Sequence, residues 1–84
     1  MRYQIVIKRS AEKELDVLPA NMRERIAARL LALEDKPRPS GIKKLQSSDN
    51  YRLRVGDYRV LYAIDDRNRI ITIYAIGHRR EVYR

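Results

Sequence analysis

The stretch Tyr51-Arg52-Leu53-Arg54-Val55-Gly56-Asp57-Tyr58-Arg59-Val60-Leu61-Tyr62 decides how this chain folds. Two runs of β-branched and aromatic residues flank Gly56-Asp57, and a Gly-X pair favours a two-residue hairpin turn. That turn sets Val55 opposite Tyr58, Arg54 opposite Arg59, Leu53 opposite Val60 and Arg52 opposite Leu61, with opposed side chains on a common face. Tyr51, Leu53, Val55, Tyr58, Val60 and Tyr62 then make one face for helices to cover. Arg52, Arg54 and Arg59 share the other. Like charges directly opposed destabilise a sheet, and no acid lies on that face of the hairpin, so an anion resting there best explains it. The competing explanation is solvated arginines paired with Asp49, Asp57 or Glu81, of the kind that guard strand edges. A register slip of one residue would turn one strand over, so the inference stands on the length of the turn.

Outward from the hairpin, β-rich runs at about 51–55, 58–65 and 70–77 predict three successive strands, the last two joined by Asp65 to Arg69. Upstream, Lys36-Pro37-Arg38-Pro39-Ser40-Gly41 reads as a loop. Before it, Leu15, Leu18, Met22, Ile26, Leu30 and Leu33 recur at helical spacing. Ser10 is the predicted N-cap of a first helix. Pro19 breaks the stripe, and Asn21 with Glu24 resembles a capping box for a second, which makes a helical hairpin. Residues 2–8 alternate, with Tyr3, Ile5 and Ile7 on one face and Gln4 and Lys8 on the other, as in a half-buried strand. The order is strand, two-helix hairpin, then three-stranded antiparallel meander: an α+β fold with both helices on one sheet face.

The chain has 84 residues, a length that predicts a single domain over 1–84 with modest stability. It has no cysteine and one histidine, which removes disulfides, zinc fingers and thiol nucleophiles and fits a reducing cytoplasm. No signal peptide or membrane span is read. Nineteen Lys and Arg against eleven Asp and Glu give a net charge of +8. Residues 1–42 carry nine cations against six anions, and residues 43–84 carry ten against five. Fourteen of the cations are arginine, whose planar fork suits phosphate and stacks on bases, so a nucleic acid is the expected partner.

The tail Gly77-His78-Arg79-Arg80-Glu81-Val82-Tyr83-Arg84 adds three arginines, the histidine and a tyrosine. For phosphodiester chemistry the arginines cannot shuttle protons, because they stay charged at every accessible pH. Histidine, titrating at about 6.5, and tyrosine, at about 10, can, so His78 and Tyr83 are the candidate acid and base. The arginines would stabilise charge on the phosphorane. Each has a plainer alternative: a lone histidine is more often structural, and a terminal tyrosine more often packs on the core. Asp49, Asp57, Asp65 and Asp66 all sit in or beside turns, which argues against a metal site. No phosphate-binding glycine loop or nucleophile elbow is present.

The hairpin motif, the ending Ile76-Gly77-His78-Arg79-Arg80-Glu81-Val82-Tyr83 and the order of elements together resemble the RelE family of toxins from bacterial and archaeal toxin–antitoxin systems, over nearly the whole chain. The resemblance implies a microbial-ribonuclease-like RelE/ParE toxin fold, with a four-stranded sheet that cradles RNA on the face away from the helices. It implies an mRNA endonuclease (an mRNA interferase) that inhibits translation in the ribosomal A site under stress. The 2′-hydroxyl would attack the adjacent phosphate, leaving a 2′,3′-cyclic phosphate and a 5′-hydroxyl, with no metal or other cofactor. The family's catalytic roles fall on Arg52, Arg54, Arg59, Arg79 and Tyr83, with His78 drawn in because some members carry lysines where this chain has Arg52 and Arg54. Lys43, Lys44, Arg52, Arg54 and Arg80 are the expected RNA-binding cations, and Arg80 could replace Arg79 if the tail bulges. The implied partners are a RelB-like or Phd-like antitoxin, the mRNA-programmed ribosome, and operator DNA only through the antitoxin. Two other functions fit the same scaffold: a ParE-like inhibitor of DNA gyrase, and a non-catalytic nucleic-acid-binding module.

Overall fold

The structure is a computed structural model that describes residues 2–45 and 50–78. Its elements are β1 (Gln4–Ile7), α1 (Arg9–Asp16), α2 (Ala20–Ala32), β2 (Lys43–Lys44), β3 (Asn50–Val55), β4 (Tyr58–Asp65) and β5 (Ile70–His78). The strands form one sheet in the order β1-β5-β4-β3-β2. It is antiparallel except at one edge, where β1 runs parallel to β5. The expected meander is therefore present as β3-β4-β5. The sheet has five strands rather than the four expected, because β2 pairs Lys43 with Arg52 and Lys44 with Tyr51. A two-residue strand is too short to show a period in the sequence.

The β3–β4 hairpin has the register expected of a two-residue turn, with Arg54 opposite Arg59 and Val55 opposite Tyr58. Gly56 makes this possible at φ +61°, a left-handed conformation that a side chain opposes. Leu53, Val55, Val60, Tyr62, Ile71, Ile73 and Ile76 are buried on one sheet face, together with Ala11 of α1 and Ile26, Leu30 and Leu33 from α2 and its end. Both helices thus cover the same face.

The helix caps differ from expectation. α1 begins after Lys8, not Ser10, and has no side-chain cap. The Lys8 amide donates to the Ile73 carbonyl at 2.9 Å while the Lys8 carbonyl accepts from Glu12 at 2.8 Å. Pairing with β5 carries the chain straight into the helix and leaves Ser10 in its first turn. α2 likewise begins after Pro19, with no side-chain cap, so Asn21 lies inside the helix. The Pro19 carbonyl accepts from Met22 and Arg23. Arg23 also donates through Nη1 to the Leu18 carbonyl at 3.0 Å, closing the inter-helix turn. None of the described helices is long and apolar enough to cross a membrane.

β5 is irregular. Leu61 of β4 lies opposite Ala75 and Tyr62 opposite Ile73, so Tyr74 is an extra residue at a bulge. The bulge lets Ile73 and Ile76, three residues apart, both reach the core. Beyond Ile73, β5 has no β1 residue beside it. There Glu14 of α1 accepts a hydrogen bond from the Ile76 amide at 2.9 Å, which satisfies a backbone donor that β1 is too short to reach.

At the other end of the sheet a polar chain ties the Pro-rich loop down. Asp66 accepts from Tyr3 at 2.6 Å and from both terminal nitrogens of Arg38, at 3.2 and 2.8 Å. Arg38 donates through Nε to the Tyr51 hydroxyl at 3.1 Å and lies over the Tyr51 ring. Tyr51 stacks on Tyr62, whose hydroxyl donates to the Pro37 carbonyl at 2.9 Å. The Tyr62 hydroxyl is pushed up to about 12, mainly by burial and then by Tyr51. Arg38 and then Tyr3 hold the Asp66 carboxyl down at about 2.

Two outcomes are expected. Gly56→Ala lowers the unfolding free energy by about 1–2 kcal/mol through its positive φ, read as a shifted urea midpoint with unchanged m. Because the Asp66 carboxyl titrates at about 2 in the folded chain and about 3.9 unfolded, its stabilisation is complete above about pH 4 and lost as pH falls toward 2. Thermal unfolding across that window should therefore depend on pH less steeply in Asp66→Asn than in the wild type; equal slopes would deny Asp66 this role.

Candidate nucleic-acid interface

The sheet face away from the helices is built in cross-strand rows. Arg54, Arg59 and Gly77 form one row; Lys43, Arg52, Leu61 and Ala75 form the next; Asn50, Ala63 and Thr72 form the third. Four cations thus stand on the β2, β3 and β4 side of this face. The β5 residues in these rows are glycine, alanine and threonine, all small, with the bulged Tyr74 on the same face next to Ala75. The result is a sheet face with a cationic wall along its β2, β3 and β4 side. Gly77, opposite Arg59, adds no side chain of its own beside that guanidinium.

The arginines are held differently. Arg54 is exposed and donates through Nε to the Gly56 carbonyl at 3.3 Å, so the turn that sets the register also steers this side chain. Arg52 and Arg59 are half-buried, and the Arg59 Nε is shut off from solvent. A guanidinium partly withdrawn from water interacts more strongly with an anion than an exposed one. The first acid on this face along β4 is Asp65 at its far end. Its carboxylate accepts from the backbone and side chain of Asn68, and those bonds hold it below the usual carboxylate range.

The structure brings together Lys43, Arg52, Arg54 and Arg59 and separates two other candidates from them. Lys44 lies opposite Tyr51, on the helix side, because neighbouring residues of a strand face opposite ways. His78 lies opposite Tyr58. Their rings meet edge to face, with centroids 5.8 Å apart, and Tyr58 packs against the core. His78 therefore turns away from the arginines, and its nearest aromatic partner is structural. The structure thus places His78 on the opposite sheet face from Arg52, Arg54 and Arg59. Arg79, Arg80 and Tyr83 lie outside the described residues, as do Asp49 and Glu81.

Two residues of this face escape the sequence reading. Tyr74, the bulged residue, shares its face with Ala75, and Asn50 stands in the third row; the Asn50 side chain hydrogen-bonds the Tyr74 hydroxyl. The only sequence signal was the apolar spacing of Ile71, Ile73 and Ile76, whose switch from two to three requires an extra residue between them.

Comparison with known proteins agrees with this architecture. Residues 5–83 match the family model described as the ParE toxin of the type II toxin–antitoxin system parDE. A toxin of Methanocaldococcus jannaschii named RelE1 is 32% identical over 88 aligned positions, covering 100% of this chain and 98% of the relative. The structure of an archaeal RelE–RelB complex from Pyrococcus horikoshii contains a chain that superposes with a TM-score of 0.87 at 31% identity, covering 98% of this chain and 100% of that one. A chain of the RelBE2 toxin–antitoxin complex of Mycobacterium tuberculosis gives 0.84 at 26% identity, covering 94% and 100%. With the family model, the sequence relative and the superposed fold in agreement over nearly the whole chain, this chain belongs to the RelE/ParE family of toxins of type II toxin–antitoxin systems.

Proposed function

We propose that this toxin is a metal-independent endoribonuclease that cleaves mRNA in the ribosomal A site, and that a RelB-like or Phd-like antitoxin holds it in check in the cytoplasm. The observation that carries the proposal is the row Arg54-Arg59-Gly77 beside Lys43-Arg52. It sets four cations along one side of this sheet face, and Gly77 adds no side chain beside Arg59. A gyrase inhibitor or a purely structural edge does not need like charges directly opposed at a cost in sheet stability.

In this mechanism Arg59, backed by the sheet, faces the scissile phosphate and stabilises the charge that develops on its oxygens. Arg52, Arg54 and Lys43 bind the flanking backbone. The 2′-hydroxyl of the upstream nucleotide attacks phosphorus and the 5′-oxygen leaves. Its own proton must be removed and another delivered to the leaving oxygen. With His78 on the helix side, Tyr83 takes the larger share of that proton traffic, and Arg79 or Arg80 completes the cationic wall from the tail. The antitoxin partnership draws on the neighbouring structures, which are themselves complexes with RelB proteins. The +8 charge of this chain suits an acidic segment that folds upon it, and operator DNA would then be reached only through the antitoxin.

One observation favours a second reading: the matching family model is named for ParE, which makes gyrase inhibition the rival. Purified toxin added to mRNA-programmed ribosomes should produce new ends with a 2′,3′-cyclic phosphate and a 5′-hydroxyl. Arg59→Ala should lower that rate by 10²-fold or more, the scale of losing one transition-state donor. Intact mRNA together with blocked gyrase supercoiling would establish the rival instead. On a single-stranded RNA oligonucleotide that cannot be cleaved, Arg52→Ala should weaken binding and lower the slope of log K against log salt by about 0.7, one phosphate contact. An unchanged slope would remove Arg52 from the RNA path.

A further inference from the structure

The cationic wall accounts for phosphates but not for bases, and the same face carries an unassigned aromatic. Tyr74 is the bulged residue of β5, on the solvent side of the sheet and half-buried. Its hydroxyl is hydrogen-bonded by Asn50, which stands two strands away, across β4, in the row of Ala63. Neighbouring strands lie about 4.8 Å apart, so the Tyr74 side chain must lie across β4 to make that bond. It passes above Ala63, a residue small enough to let the ring down toward the sheet. Leu61, in the adjacent row, is only 8% exposed although no helix covers its side, which fits a face overlain by large side chains. The bulge makes the placement possible: it turns Tyr74 and Ala75 to the same side as Leu61. Bulges concentrate beside active sites, where they re-aim a side chain.

We infer that Tyr74, fixed by Asn50, is a stacking platform for one nucleobase of the RNA whose phosphates run along Lys43, Arg52 and Arg59. The inference rests on the proposed function for the class of ligand. Single-stranded RNA is recognised by unstacked bases laid on aromatic side chains of a sheet, beside cations that track the backbone. Here the aromatic lies next to the Arg52 row, and the other β5 residues of this face, Thr72, Ala75 and Gly77, are small. A base has a π-face whatever its identity, so the platform tolerates sequence. The Asn50 carboxamide stands at the ring's far edge, where it can also meet the edge of the stacked base.

The test uses a 2′-O-methyl RNA hexamer, which cannot undergo 2′-hydroxyl attack, with 2-aminopurine placed in turn at each position. Wild-type protein and Tyr74→Phe should quench the fluorophore at one position and bind with similar affinity. Tyr74→Leu should lose the quenching and bind about tenfold more weakly, the scale of one base–aromatic stack. Equal binding and quenching by Tyr74→Leu would overturn the inference, and so would a Phe variant as defective as Leu. Should the Leu variant fail to fold, the wild type decides alone: titration with the same hexamer should shift the Tyr74 ring protons, and an unmoved ring would overturn the platform. Quenching at Tyr74 with no ribosomal cleavage would defeat the proposed enzyme and spare the platform. Arg59-dependent cleavage with an unmoved Tyr74 ring would do the reverse.

Discussion

Arg54 and Arg59 stand directly opposite one another because Gly56, at φ +61°, closes β3 onto β4 in two residues. Everything on the far side of the sheet depends on that register. If the turn gained a residue, one strand would rotate its side chains by half a period, and the arginines would fall on opposite faces while Leu53 or Val60 left the core. The apolar face resists such a slip strongly, since Leu53, Val55, Val60 and Tyr62 are each at most 2% exposed. A helix-covered face whose burial fixes the register thus forces the like charges together. Core packing opposes the repulsion and keeps a site assembled whose charges, left to themselves, would disperse.

The opposite end of the sheet shows what such a site needs behind it. The chain Tyr3–Asp66–Arg38–Tyr51 and the Tyr62–Pro37 bond join β1, the β4–β5 turn, the loop after α2, and β3. These contacts lie on the helix side or at the rim, away from the arginine rows. Asp66 is the acid that draws Arg38 out of the cationic surface and into a structural role. Two kinds of arginine therefore coexist in one small sheet. Arg38 is forked onto a carboxylate at the rim, while the cross-strand rows of Arg52, Arg54 and Arg59 contain no acid among the described residues.

The hairpin, the meander and both helices were legible in the sequence because each is fixed by local information: a Gly-X turn, β-branched runs, a stripe of Met22, Ile26, Leu30 and Leu33. What escaped was set by pairing between distant segments. Lys8 became an N-cap in place of Ser10 because its amide was already committed to Ile73, sixty-five positions away in the chain. Pro19 took the second cap from Asn21 through its own carbonyl. β2 exists only because Lys43 and Lys44 have β3 beside them. The candidate site divided along the same line. Arg52, Arg54 and Arg59 could be placed from one turn, whereas the face of His78 depends on how β5 registers with β4 past a bulge.

That bulge has two effects that are usually achieved separately. On the core side it respaces Ile73 and Ile76 so that both are buried; on the other side it doubles the residues facing Leu61, adding Tyr74 beside Ala75. A regular β5 would place the same residues at the wrong phase, driving Ile76 out of the core and turning His78 toward the arginines. The irregularity is therefore paid for by packing rather than by a special backbone residue, since β5 contains no positive φ among the described residues. Gly77 and His78 follow this step with their phase already set. Which side of the sheet the last strand presents to Arg59 is thus decided at Tyr74, three residues earlier, by the requirement that two isoleucines share one core.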